Sequence, residues 1–187
     1  SKGVKLLGVT AEQISAAEDR ATFDAVLEQL GIARPQGMMA YDMASGSLAA
    51  QDMGFPLMVR PSFVIGGQGM AICHDAEMFT AYLAQAFAVS KGRPVFIDRY
   101  IVGTEVEVDL VTDGVNVMIP GIMEHIEPAG IHSGDSVMVY PPQHLPLSVM
   151  EKICDTATRI TLALGFTGIA NIQMIVDAQS EVHVIEM

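Results

Sequence analysis

GIMEHIEPAGIHSGDS, residues 121–136, sets carboxylates, two histidines, Ser133 and a glycine-flanked turn between two apolar, strand-like stretches. It opens after VNVMI (115–119) and closes into VMV (137–139), so its polar groups project from a strand junction instead of filling a core. Such a run is built for a ligand. Upstream of it, long strands are expected over 105–112 and 115–123. Downstream, a helix spans 147–164, Gly165 stops it, and two strands follow over 168–176 and 182–187.

Further toward the N-terminus the units shorten. A strand over 4–9 leads to a helical region over 10–30, capped by Thr10, with Phe23, Val26, Leu27 and Leu30 on one face and Gly31 as its stop. From Pro35 come a strand at 38–41, a helix at 47–53, a strand at 57–60 and a glycine-rich turn. A strand at 70–73 and a helix from Asp75 to Phe87 complete this group, and a strand at 95–97 opens the next. Helices alternate with mostly antiparallel hairpins, so the class is α+β and not a doubly wound parallel sheet. The expected division is an N-terminal segment (1–31), a small lobe (32–91) and a large lobe (92–187).

Composition narrows the ligand. A net charge of −12 with only ten Lys and Arg argues against nucleic acid, whose binding needs clustered cations. A phosphorylated small molecule would meet the same shortage, so divalent metal ions held by acidic residues would have to supply the positive charge. Cys73 and Cys154 lie far apart among apolar neighbours and read as reduced thiols, which favours the cytoplasm. No apolar run reaches a membrane-spanning length and the N-terminus lacks a signal-peptide pattern, so a soluble protein with no membrane partner is expected.

Several constellations carry chemistry. Gly66 and Gly67, within GGQG between two strands, form either a plain turn or a flap whose backbone N–H groups approach phosphate. Arg60, on the strand before them, serves a structural ion pair or forks onto phosphate oxygens. Glu105, Glu107 and Asp109 alternate onto one strand face, which is a solvated face or a place where a carboxylate bonds a sugar hydroxyl or a metal. Asp98 to Ile101 end a strand in a connector whose backbone could read the edge of a heterocycle. Gln173 and Glu186 sit on two strands joined by a turn near Asp177, and a hairpin centred there brings them together for a hard cation. His132 is placed to touch a phosphate or sugar. The histidines lack zinc spacing, and His74, His144 and His183 read as surface or satisfied residues.

Taken in order, EDR (18–20), RPSFVIGGQGM (60–70), DRYIVGTEVEVD (98–109), the opening run, NIQM (171–174) and VIEM (184–187) resemble the ATP-grasp region of the carbamoyl phosphate synthetase large subunit. The resemblance covers nearly the whole chain. It implies two α+β lobes with the nucleotide between them, ATP with Mg2+ or Mn2+, and phosphoryl transfer. Arg60, Gly66 and Gly67 would hold phosphates with Arg20, Arg60 also acting catalytically. Asp98, Arg99 and Ile101 would line the adenine, chiefly by backbone, and Glu105 would take the ribose. Gly130, Ile131, His132 and Ser133 would complete the pocket, with Gln173 and Glu186 as metal ligands.

That subunit carries two related halves, and EHIEPAGIHSGDS is more similar to the second, which phosphorylates carbamate in a pathway serving pyrimidine and arginine biosynthesis. The alternatives are the bicarbonate-phosphorylating half and an inactive nucleotide-binding fragment. Implied partners are the remainder of the large subunit, a glutaminase small subunit and small-molecule substrates. Two departures accompany the resemblance. Some relatives have His at the place of Arg99. Relatives also continue past Met187 with Asn-Pro-Arg, whose Asn is an expected metal ligand, so this chain reads as a truncated piece.

Overall fold

The computed structural model of the chain describes residues 8–61, 70–90, 92–130 and 136–187. These form two compact units. The smaller comprises Pro35–Ile101 with Gly130–Ser136, and the larger Ser1–Arg34, Val102–Ala129 and Val137–Met187.

The smaller unit is a four-stranded antiparallel sheet carrying two helices. In chain order its elements are β1 (Gly37–Ala40), α3 (Met43–Met53), β2 (Leu57–Pro61), β3 (Ala71–Cys73), α4 (Ala76–Ser90) and β4 (Val95–Arg99), with strand order β1-β4-β2-β3. β2 alternates as its sequence dictates: Leu57, Val59 and Pro61 are buried, while Met58 and Arg60 lie on the other face. The buried face packs with Val95 and Ile97 of β4 against Met53, Phe79 and Leu83 of the helices. Gly46 lets α3 meet α4 closely, for a Cβ there would stand 2.5 Å from Leu83 Cδ2. The Asp42 side chain accepts from the Ser45 N–H, so α3 starts at Met43, one turn before the expected start at 47.

The strand at 95 corrects the expected lobe boundary. It pairs with both β1 and β2, so it completes the small sheet instead of opening the large one, and the division falls after Ile101. Strand pairing is non-local, and proximity in sequence to the next group of strands misdirects the assignment.

The larger unit is a five-stranded antiparallel sheet in the order β7-β6-β5-β8-β9. Its strands are β5 (Gly103–Thr112), β6 (Val117–His125), β7 (Met138–Val139), β8 (Gly168–Asp177) and β9 (Val182–Glu186), and its long helix is α5 (Leu147–Leu164). Val106, Val108 and Leu110 of β5, with Ile172 and Met174 of β8, cluster with Ile153, Ala157 and Ile160 of α5. Full burial of each Val, Leu, Ile or Met side chain among them contributes about 1.5–3 kcal/mol. Phe23 and Leu27 join the same cluster, so the N-terminal helices belong to this unit and are no separate segment.

The helical region over 10–30 is two helices, α1 (Ala11–Glu18) and α2 (Arg20–Gln29). Asp19 is extended, at φ −74° and ψ 109°, and its carboxylate accepts from the Thr22 N–H at 2.9 Å, which restarts the helix. The strand expected over 4–9 falls mostly outside the described residues.

Candidate functional site

The two faces of β5 have opposite characters. Val106, Val108 and Leu110 enter the hydrophobic core, and Glu105, Glu107 and Asp109 share the other face. A solvated face fits only Asp109, because Glu105 is 4% and Glu107 7% exposed. A buried carboxylate must find partners, and Glu107 has three. Gln173 Nε2 donates to its Oε1 at 3.2 Å, Asn171 Nδ2 donates to its Oε2 at 3.1 Å, and His125 Nε2 stands 3.3 Å from Oε1. The His125 contact is off-line for a hydrogen bond and acts through proximity alone. Asn171 Nδ2 also donates to Asp109 Oδ1 at 2.9 Å.

Glu107, Gln173 and Glu186 occupy one row across β5, β8 and β9, with Glu107 opposite Gln173 and Gln173 opposite Glu186. A β-bulge lies between Gln173 and Met174, where the β8–β9 register shifts. The hairpin therefore brings Gln173 and Glu186 together, as its sequence requires. Among the described residues no group of three or more His, Cys, Asp or Glu is arranged to hold a metal ion. Gln173 and Glu186 thus offer two oxygen donors, which suits Mg2+, an ion commonly held by one or two protein oxygens and completed by phosphate oxygens and water.

In the smaller unit, Arg60 Nη2 and Asp98 Oδ2 are 2.5 Å apart, with the side chains 20% and 6% exposed. Asp98 thus uses its carboxylate on Arg60, a role distinct from the backbone one expected of it. Arg60 Nε is buried and has no hydrogen-bond acceptor among the described residues. A charged donor in that state is costly, and an anionic oxygen would satisfy it.

The Asp98–Ile101 connector is partly committed already. The Arg99 N–H donates to Gln36 O at 2.7 Å and the Tyr100 N–H to Pro56 O at 3.0 Å. Arg99 Nη1 donates to Met53 O at 2.9 Å, closing the end of α3, so its side chain is structural. The Ile101 N–H donates to none of the described residues. Arg20 lies at the start of α2 in the larger unit, within 3.5 Å of Asp24.

Gly130 has φ +96°, and a Cβ there would stand 3.1 Å from Met58 Cε and 3.3 Å from Ile72 Cδ1. Glycine is what lets the chain turn while lying against this sheet. Gly66, Gly67, Ile131, His132 and Ser133 lie outside the described residues.

Sequence reasoning missed His125, which is 5% exposed beside Glu107, although alternation along β6 could have found it. It also missed Glu124. That buried carboxylate accepts the Gln143 N–H at 2.7 Å and the His144 N–H at 3.0 Å, and lies 2.8 Å from His144 Nδ1, so it staples the 140–144 loop. Both cysteines are free, and burial pushes the Cys73 thiol up to about 11, with Asp75 adding to the effect.

A family model described as carbamoyl-phosphate synthase L chain, ATP binding domain, matches residues 19–187. Carbamoyl phosphate synthase large chains of Clostridium botulinum and Clostridium perfringens are 50% and 46% identical over 186 residues, 100% of this chain. This chain spans 17% of the length of each. Among solved structures, the biotin carboxylase–β,γ-ATP complex of Campylobacter jejuni superposes with a TM-score of 0.83 at 18% identity, covering 96% of this chain and 42% of that one. The VanG D-Ala:D-Ser ligase of Enterococcus faecalis gives 0.81 at 16% identity, covering 98% and 55%. The fold is that of the ATP-grasp proteins.

Proposed function

This chain belongs to the family of carbamoyl-phosphate synthase L chain ATP-binding domains, and on that premise we propose that it binds ATP with Mg2+ and phosphorylates carbamate within a longer synthase chain. The observation that carries the reading is the opposition of Gln173 and Glu186 across β8 and β9, which sets two oxygen donors side by side.

Each residue has a role that its chemistry supports. Gln173 and Glu186 would hold Mg2+, which when bound neutralises charge on the β- and γ-phosphate oxygens. Arg60, steadied by Asp98 through Nη2, would direct its buried Nε at an oxygen of the transferring phosphoryl group. The Glu105 carboxylate would accept hydrogen bonds from ribose hydroxyls, and the Ile101 N–H would donate to the adenine edge. Gly66, Gly67, Gly130, Ile131, His132 and Ser133 would complete the nucleotide contacts, as the family resemblance implies, with Arg20 as a further phosphate contact.

Catalysis of this kind is positioning and charge neutralisation. Carbamate presents an oxygen that is already anionic, so no general base is required. The likeness of EHIEPAGIHSGDS to the second of two related halves supports carbamate over bicarbonate as the acceptor. Ammonia would come from a glutaminase partner, consistent with the family.

Calorimetric titration of the chain with ADP tests the metal reading. Binding is expected to require Mg2+ and to disappear in Glu186→Ala; equal affinity with and without EDTA would overturn it. Carbamoyl phosphate with Mg-ADP should yield ATP from the full-length parent chain, and failure to do so in a folded parent would remove carbamate as the acceptor.

A further inference from the structure

We infer that Glu107 is a positioning residue for the metal ligand Gln173, an inference that rests on the metal reading of Gln173 and Glu186. An ionised carboxylate only accepts hydrogen bonds, so any amide beside it must present its NH2 group. Gln173 Nε2 is held by Glu107 Oε1 at 3.2 Å, which turns Gln173 Oε1 away from Glu107 and frees it as an acceptor-type ligand. The neighbouring strand on that other side is β9, where Glu186 stands opposite Gln173.

An unrestrained glutamine amide rotates about its last bond and presents nitrogen to a cation as readily as oxygen. A cation accepts only the oxygen, so fixing the amide removes the wrong half of its orientations. Glu107 is itself fixed. It is 7% exposed, Asn171 occupies its second oxygen at 3.1 Å, and His125 stands 3.3 Å from the first. With Asn171 also tied to Asp109, the carboxylate has little freedom to leave Gln173. This is the arrangement by which groups behind a metal ligand set its orientation, and loss of such a group lowers metal affinity about 10–100-fold.

The test is the apparent Mg2+ affinity, read by calorimetry at fixed ADP, in E107Q, Q173A and their combination. We expect E107Q alone to weaken Mg2+ at least about tenfold and to add less than about threefold to Q173A, because Glu107 works through Gln173. Additive effects would overturn the inference by making Glu107 act on the metal directly. The charge-preserving E107D, which withdraws the carboxylate from Gln173, should also weaken Mg2+; full affinity in E107D would leave only a field effect of the negative charge.

Circular dichroism checks that each variant is folded, and one measurement needs no change at Glu107. In the unaltered chain, the side-chain NH2 resonances assigned by their loss in Q173A should exchange slowly with solvent. Exchange as fast as that of an exposed glutamine would sink the inference by itself. The two readings fail separately. If E186A still binds Mg-ADP with full affinity, the metal reading fails; if E186A loses that binding and E107Q does not weaken Mg2+, only the role of Glu107 fails.

Discussion

Asp98 grips Arg60 across neighbouring strands, Oδ2 to Nη2 at 2.5 Å, with both side chains largely withdrawn from water. Removing one partner of such a pair strands the other charge. Asp98→Ala is therefore expected to destabilise the chain by about 3–5 kcal/mol, measured by urea unfolding. The double change Asp98→Leu with Arg60→Met, which removes both charges, should lose less. A loss below about 1 kcal/mol in Asp98→Ala would mean that the pair is solvated in solution.

Arg99 makes a local stability prediction. Its Nη1 bond to the Met53 carbonyl closes α3, so Arg99→Ala should cost about 1 kcal/mol and lower Tm by about 2–4 °C, read by thermal denaturation. An unchanged Tm would show that water caps that helix end equally well.

Gly130 separates backbone strain from steric conflict. Gly130→Ala should cost about 1–2 kcal/mol, because φ +96° is unfavourable for any residue with a Cβ. The closest neighbour is the flexible end of Met58, so steric relief is cheap. Combining the change with Met58→Ala should accordingly show coupling below about 0.5 kcal/mol in chemical denaturation; a large coupling would make the clash the dominant effect.

Glu124 ties stability to pH. Burial, the largest single influence, would raise its pKa, but the His144 backbone and side-chain bonds and the Gln143 backbone bond together outweigh it, and the carboxyl is lowered. A lowered folded-state value means that its stabilisation is complete above the unfolded value of about 4.3 and is lost as pH falls through the folded one. The stability difference between the unaltered chain and Glu124→Gln should then shrink between pH 6 and pH 3. A difference that stays constant over that range would count against the staple.

What the sequence made legible followed the range of the forces involved. The bounds of α5 agree with expectation because Gly165 and the strong apolar periodicity before it are local signals. The Gln173–Glu186 pairing was readable because a hairpin is a short-range object. The break at Asp19 was hidden, since an Asp within a polar helix face and an Asp that caps a new helix look alike in one dimension. The assignment of β4, the hold of Asp98 on Arg60 and the packing around Glu107 all depend on partners many residues away. A carboxylate at every second position cannot reveal by itself whether water or side chains will surround it, and here Asp109 has one answer and Glu107 the other.

The alternation of β5 also sets how this domain tolerates change in chain length. Because Val106, Val108 and Leu110 face one way and Glu105, Glu107 and Asp109 the other, losing or gaining one residue in the strand would exchange oily and acidic sides downstream of the lesion. Carboxylates would be driven against α5 while aliphatic groups replaced the row that meets Gln173. Point substitutions can damage the scaffold or the chemistry separately, whereas a one-residue indel here strikes both together.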